Sequence, residues 1–106
     1  MVDDVEIWLV AGNYRASTGR EAELAGVLAR YVVLTRAVTG CRNVDLVASA
    51  GTLGRFLVIE KWDDPDAQRA HLDAPVMVDM ATAASPLLAG PPDLDLYQTI
   101  SAQDLE

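Results

Sequence analysis

His71 is the single histidine of this chain and Cys41 its single cysteine, so the two side chains that most often work near neutral pH occur once each. His71 lies on a stretch opened by Asp63-Asp64-Pro65-Asp66, and at helical spacing it shares a face with Ala67, Ala70 and Ala74. Those small neighbours leave room for an imidazole either to face a ligand or to be held by hydrogen bonds in a core. Met77 and Met80 follow on the next helical stretch, where flexible thioethers can wall a pocket for a flat organic molecule or simply fill a core. Asn13, late in an otherwise apolar strand, can orient a ligand carbonyl or hydroxyl, or begin a turn. Glu60 and Trp62 are two residues apart and therefore on one side of a strand. Glu60 reads as a hydrogen-bonding partner, Trp62 as packing in a core, a dimer or a pocket wall. Cys41, directly after Gly40, reads as a small buried filler.

The motifs of other chemistries are missing. There is no CxxC, HExxH, GxSxG, phosphate loop or GxGxxG, so zinc, nucleotide and common hydrolase readings have no motif support. One Cys and one His cannot assemble a soft-ligand metal site within one chain. Asp63, Asp64 and Asp66 read as a solvated helix cap rather than a hard-cation site.

The chain has 106 residues, a length for one domain spanning 1–106. It is 51% hydrophobic and 23% charged, the balance of an ordinary globular protein. Eight Lys and Arg against sixteen Asp and Glu give a formal charge of -8, which argues against nucleic acid or an anionic membrane as a partner. Cys41 alone can form no internal disulfide, which fits a reducing cytoplasm. The acidic start Met1-Val2-Asp3-Asp4 is unlike a secretory signal. Apolar runs such as Tyr31 to Leu34 and Phe56 to Ile59 are too short to span a bilayer. A cytoplasmic location is expected.

The elements that must position these residues follow from periodicity. Val5 to Tyr14 is rich in β-branched and aromatic residues and predicts a strand. Thr18 stands three before Glu21, a capping-box spacing, and Leu24, Val27, Leu28, Tyr31, Leu34 and Val38 then recur as a helical stripe that Gly40 should cap. Cys41 to Ala48 and Arg55 to Trp62 predict a second and third strand. Pro65 opens a helix, Pro75 interrupts it, and a second piece runs from about Val76 to Leu88 before Gly90-Pro91-Pro92. Leu94 to Ile100 predicts a fourth strand. The order βαββαβ predicts an α+β, ferredoxin-like fold with antiparallel strand order 4-1-3-2. Strands one and three are apolar on both parities, as central strands should be. Two helices cover one sheet face only, so the other apolar face predicts a homodimer, built as two sheets around a barrel.

Arg55-Phe-Leu-Val-Ile-Glu-Lys-Trp62, the acidic helix start, Ala70-His71-Leu72, Ala74-Pro75, Gly40-Cys41 and Gly19 together resemble the antibiotic biosynthesis monooxygenase family, over about Val5 to Ile100. The resemblance implies a dimeric α+β barrel. It also implies an oxygenase acting with molecular oxygen and no metal, flavin or other cofactor on a quinol, anthrone or similar hydroxy-aromatic compound. On that reading His71 is the base or hydrogen-bond partner, Asn13 the donor, and Phe56, Met77, Met80 and Trp62 wall the substrate. Val76 and Met77 stand where members often carry a second histidine. The haem-degrading branch has its iron ligand near Ala81, which cannot bind iron, so that activity is not expected. The alternative is a non-catalytic dimeric small-molecule-binding or accessory protein of the same fold.

Overall fold

β-Branched and aromatic residues favour three segments as strands, alternation of Leu94 and Leu96 with Asp95 and Tyr97 favours the fourth, and the apolar stripes between them form helices. The computed structural model describes residues 7–100. In chain order it contains β1 (Trp8–Arg15), α1 (Glu21–Thr35), β2 (Cys41–Ala48), β3 (Arg55–Trp62), α2 (Pro65–Leu72), α3 (Pro75–Ala84), a 3-10 turn (Ser85–Leu87) and β4 (Asp93–Gln98). All pairings are antiparallel in the order β2-β3-β1-β4, the predicted order read from the other edge. The ferredoxin-like α+β architecture is therefore as expected. β2 and β3 have the expected bounds. Met1 to Asp4, and Val5 and Glu6 of the expected first strand, lie outside the described residues. β4 ends at Gln98, short of the expected Ile100.

Both prolines act as helix starters. Pro65 opens α2 behind Asp64, whose Oδ1 accepts the Ala67 amide at 2.7 Å, and Pro75 opens α3. Two expected caps are different. The Thr18 capping box is absent: Glu21 reaches back instead, its Oε2 accepting the Gly19 amide at 2.9 Å. Gly40 does have the left-handed φ of 90°, but α1 ends at Thr35, so Val38 lies in the intervening turn. The space at Gly40 explains the glycine further, since a Cβ there would stand 2.5 Å from the Ala67 Cβ. The β2 entry is thereby pressed against α2.

Alternation sorts the sheet into two faces. Val10, Tyr14, Phe56, Val58, Glu60 and Trp62 are buried beneath the helices, together with Leu24, Leu28, Tyr31 and Val32 of α1. Leu9, Leu57 and Ile59 point to the opposite face and are half-buried. On β4, Leu94 and Leu96 share the parity of the buried residues yet stay exposed, because the helices do not extend over this edge. Among the described residues no helix is long and apolar enough to cross a membrane.

Candidate functional site

Three buried polar side chains meet under α2. Glu60 on β3, Tyr31 on α1 and His71 on α2 are 4%, 2% and 3% exposed. The Tyr31 hydroxyl donates to Glu60 Oε2 at 2.5 Å, and Trp62 Nε1 donates to Glu60 Oε1 at 3.0 Å. Both oxygens of a buried carboxyl are thus partnered, as burial of such a group requires. His71 Nε2 lies 2.8 Å from the Tyr31 hydroxyl. Since that hydroxyl gives its proton to Glu60, Nε2 is the donor toward Tyr31, and Nδ1 is left as a buried lone pair without a partner. The imidazole is wedged between Trp62 and Tyr31, with ring centroids 4.9 and 5.6 Å away. Burial pushes the His71 pKa below its ordinary value, and the Glu60 charge opposes this. Burial first, and then the same Glu60 charge, raise the pKa of Tyr31 and of Tyr14.

A separate cavity of about 480 Å³ opens between α3 and the β1–β4 edge, within the range of small-molecule sites. Met77, Met80, Ala81 and Ala84 of α3 form one wall, and Leu88, Gly90, Pro91, Pro92 and Leu94 another. Among the described residues, Tyr14 and Ser85 supply the only side-chain hydroxyls of its lining. The Tyr14 ring folds back over Gly12, where an added Cβ would stand 3.0 Å from Tyr14 Cε1 and 3.2 Å from Leu94 Cδ2. Gly12 therefore makes the space that the Tyr14 ring occupies. With its pKa raised, Tyr14 keeps its proton at neutral pH and is a hydrogen-bond donor, not a base.

The residues singled out in the sequence do not converge on one place. Met77 and Met80 line the cavity. Phe56 is 8% exposed within the core, and Trp62 is fully buried against His71 and Glu60. His71 is not among the cavity-lining residues. Its expected open surroundings are filled by the Trp62 and Tyr31 rings, and its neighbour on the buried side of α2 is Gln68, while Ala70 is exposed. Asn13 has odd parity on β1 and faces away from the helices, so the sheet separates it from His71. It lines instead a smaller hollow with Arg15, Thr52, Arg55 and Asp93. Tyr14 and Tyr31 were not singled out. Shared parity with Val10 puts Tyr14 on the helix side, and the α1 stripe does the same for Tyr31, but neither signal distinguishes a working phenol from core filling.

The comparisons with known proteins agree with this geometry. The family model described as antibiotic biosynthesis monooxygenase matches residues 8–83. A candidate antibiotic biosynthesis monooxygenase from Deinococcus radiodurans is 25% identical and superposes with a TM-score of 0.83, covering 90% of this chain and 94% of that one. Rv0793 from Mycobacterium tuberculosis is 22% identical at a TM-score of 0.83, with 90% and 96% covered. PA3566 from Pseudomonas aeruginosa is 23% identical at 0.81, with 95% and 100% covered. No curated protein matches by sequence. The β3 strand that carries Glu60 and Trp62, the α2 helix that brings His71 to them, and most of α3 all lie within the matched region, and the chain belongs to the antibiotic biosynthesis monooxygenase family.

Proposed function

We propose that this protein is a cofactor-independent monooxygenase that takes a quinol, anthrone or similar hydroxy-aromatic compound into the α3 cavity. The observation that carries this reading is the cavity itself: about 480 Å³, walled by methionine, alanine and proline, with one phenol that stays protonated. An anthrone-type substrate supplies its own electrons once ionised. Its CH₂ carbon becomes a carbonyl, one atom of O₂ enters, and the other leaves as water. Tyr14 stabilises the substrate oxyanion by donating a hydrogen bond within an apolar site, where such a bond acts most strongly. The released proton goes to water at the cavity mouth. His71 acts as a positioning residue: it holds Tyr31, which holds Glu60, whose charge helps keep Tyr14 protonated.

Oxygen consumption by the purified protein, with a panel of quinols and anthrones and corrected for autoxidation, tests the activity. Tyr14→Phe should lower the enzymatic rate by roughly 10²-fold, the cost of removing one oxyanion donor. Rates equal to the blank across the panel would favour the second reading, a non-catalytic small-molecule-binding protein. One observation already favours that alternative: among the described residues, no group of the cavity lining titrates near neutrality.

The working unit is a homodimer on this reading. Support comes from Leu9, Leu57 and Ile59 on the face without helices and from exposed Val47. Sedimentation equilibrium at micromolar concentration should give twice the chain mass, and a clean monomer would exclude it.

A further inference from the structure

Arg15 and Arg55 are direct register partners across β1 and β3, with both side chains on the face away from the helices. Like charges directly opposite each other on a sheet repel, and a chain with twice as many acids as bases has no compositional reason to juxtapose them. Of the other five arginines, four are accommodated, Arg20 by Glu23 at 2.8 Å, Arg42 by Asp63 at 2.9 Å, Arg69 by Asp66 at 3.6 Å, and Arg36 by the Val44 carbonyl at 3.1 Å, while Arg30 stands exposed on α1 away from any like charge in register. Among the described residues no carboxylate lies within 4.0 Å of Arg15 or Arg55.

The two guanidinium groups line one hollow of about 300 Å³, to which Asn13 and Thr52 add donors. Asp93 also lines it, opposite Asn13 in register, and leaves the hollow one net positive charge. The hollow and the α3 cavity share Tyr14, Gly90 and Pro91. Arg15 Nη2 lies 3.9 Å from where a Gly90 Cβ would stand, so the guanidinium lies close to the common wall.

We propose that Arg15 and Arg55 form a carboxylate-binding site beside the α3 cavity, selecting ligands that join an apolar ring system to an anionic end. Paired guanidinium groups suit this task, because each presents a planar fork of donors to a carboxylate. The proposal rests on the reading of the α3 cavity as the ligand site and adds the class of molecule it takes.

2-Naphthoic acid and 2-naphthamide, alike in shape but not in charge, separate the two claims when titrated calorimetrically. The acid should bind roughly tenfold or more tightly than the amide, and added salt should narrow the gap. Arg15→Gln/Arg55→Gln should abolish the difference and leave amide affinity unchanged. Ala81→Trp, which fills the cavity, should weaken both probes. Equal affinities in the wild type would overturn the arginine site and leave the cavity reading standing. Binding of neither probe, or acid binding that survives Ala81→Trp, would overturn both. Sedimentation of the double-arginine variant gives the last arm. Conversion of a dimer to monomer would assign the arginines to a contact between copies and overturn the proposal, whereas an unchanged mass supports it.

Discussion

The hydroxyl of Tyr31 sits between Glu60 Oε2, at 2.5 Å, and His71 Nε2, at 2.8 Å, so one oxygen atom joins α1, β3 and α2. A helix two residues shorter before Tyr31, or a strand shifted by one, would break this junction. The network therefore reports on the register of the whole helical layer.

Removing that oxygen should be costly. Tyr31→Phe leaves Glu60 Oε2 without its donor and both ring nitrogens of His71 without partners, in a site that water does not reach. We expect a loss of about 1–3 kcal/mol, seen as a fall in Tm of several degrees. An unchanged Tm would show that Glu60 finds another donor.

His71 should make stability depend on pH near neutrality. Its folded pKa is lowered by burial, so the unfolded chain, at about 6.5, binds the proton more readily. Stability is then fully present above about pH 6.5 and falls as the pH drops through that value. Urea midpoints at pH 7.5 and 5.5 should differ more for the wild type than for His71→Phe. Equal pH dependence in the two would remove His71 as the source.

The tyrosines should show the opposite sign at high pH. Burial raises the folded pKa of Tyr14 and Tyr31, so above about pH 10 the unfolded chain loses protons that the folded one keeps, and stability falls as the pH rises. Absorbance at 295 nm should show Tyr97, which is exposed, ionising before the other two. Tyr14 and Tyr31 should follow only with unfolding. Three phenols titrating together in a folded protein would contradict this.

Gly40→Ala combines two penalties, the left-handed φ of 90° and a Cβ set 2.5 Å from that of Ala67. We expect more than about 1 kcal/mol of destabilisation. Adding Ala67→Gly should recover the steric part and leave the backbone part, which a double-mutant cycle in urea separates. Additive losses would mean that the two residues do not press on each other.

The frame of the molecule was legible because its signals are local. Alternation marked β2 over Cys41 to Ala48, the apolar run ahead of the acidic helix start marked β3 over Arg55 to Trp62, and the two prolines marked where α2 and α3 begin. Apolar residues on both parities placed β1 and β3 in the centre. The site was less legible, because its relationships are tertiary. The alanine face of α2 suggested space around His71, but no spacing rule shows that Trp62 and Tyr31, from two other elements, fill it. Strand parity did carry the separation of Asn13 from Tyr14, neighbours in sequence that the sheet sends to opposite faces. What parity could not carry is chemistry: the pattern at Tyr14 and Tyr31 asks only for a large apolar residue and is silent on the hydroxyl.

His71→Ala should therefore lower Tm while changing turnover per folded molecule by less than about tenfold. A 10²- to 10⁴-fold loss at unchanged Tm, the range for a lost general base, would instead make His71 a catalytic residue exposed by a motion of α2.

Pro75 lets α2 and α3 start independently, so the helix that seats His71 is mechanically distinct from the one that presents Met77, Met80, Ala81 and Ala84 to the cavity. Substitutions that enlarge, narrow or reshape the binding wall can accumulate on α3 without reaching the imidazole and its carboxyl partner. A lineage with this arrangement can change what it binds while keeping the buried hydrogen bonds that define its fold.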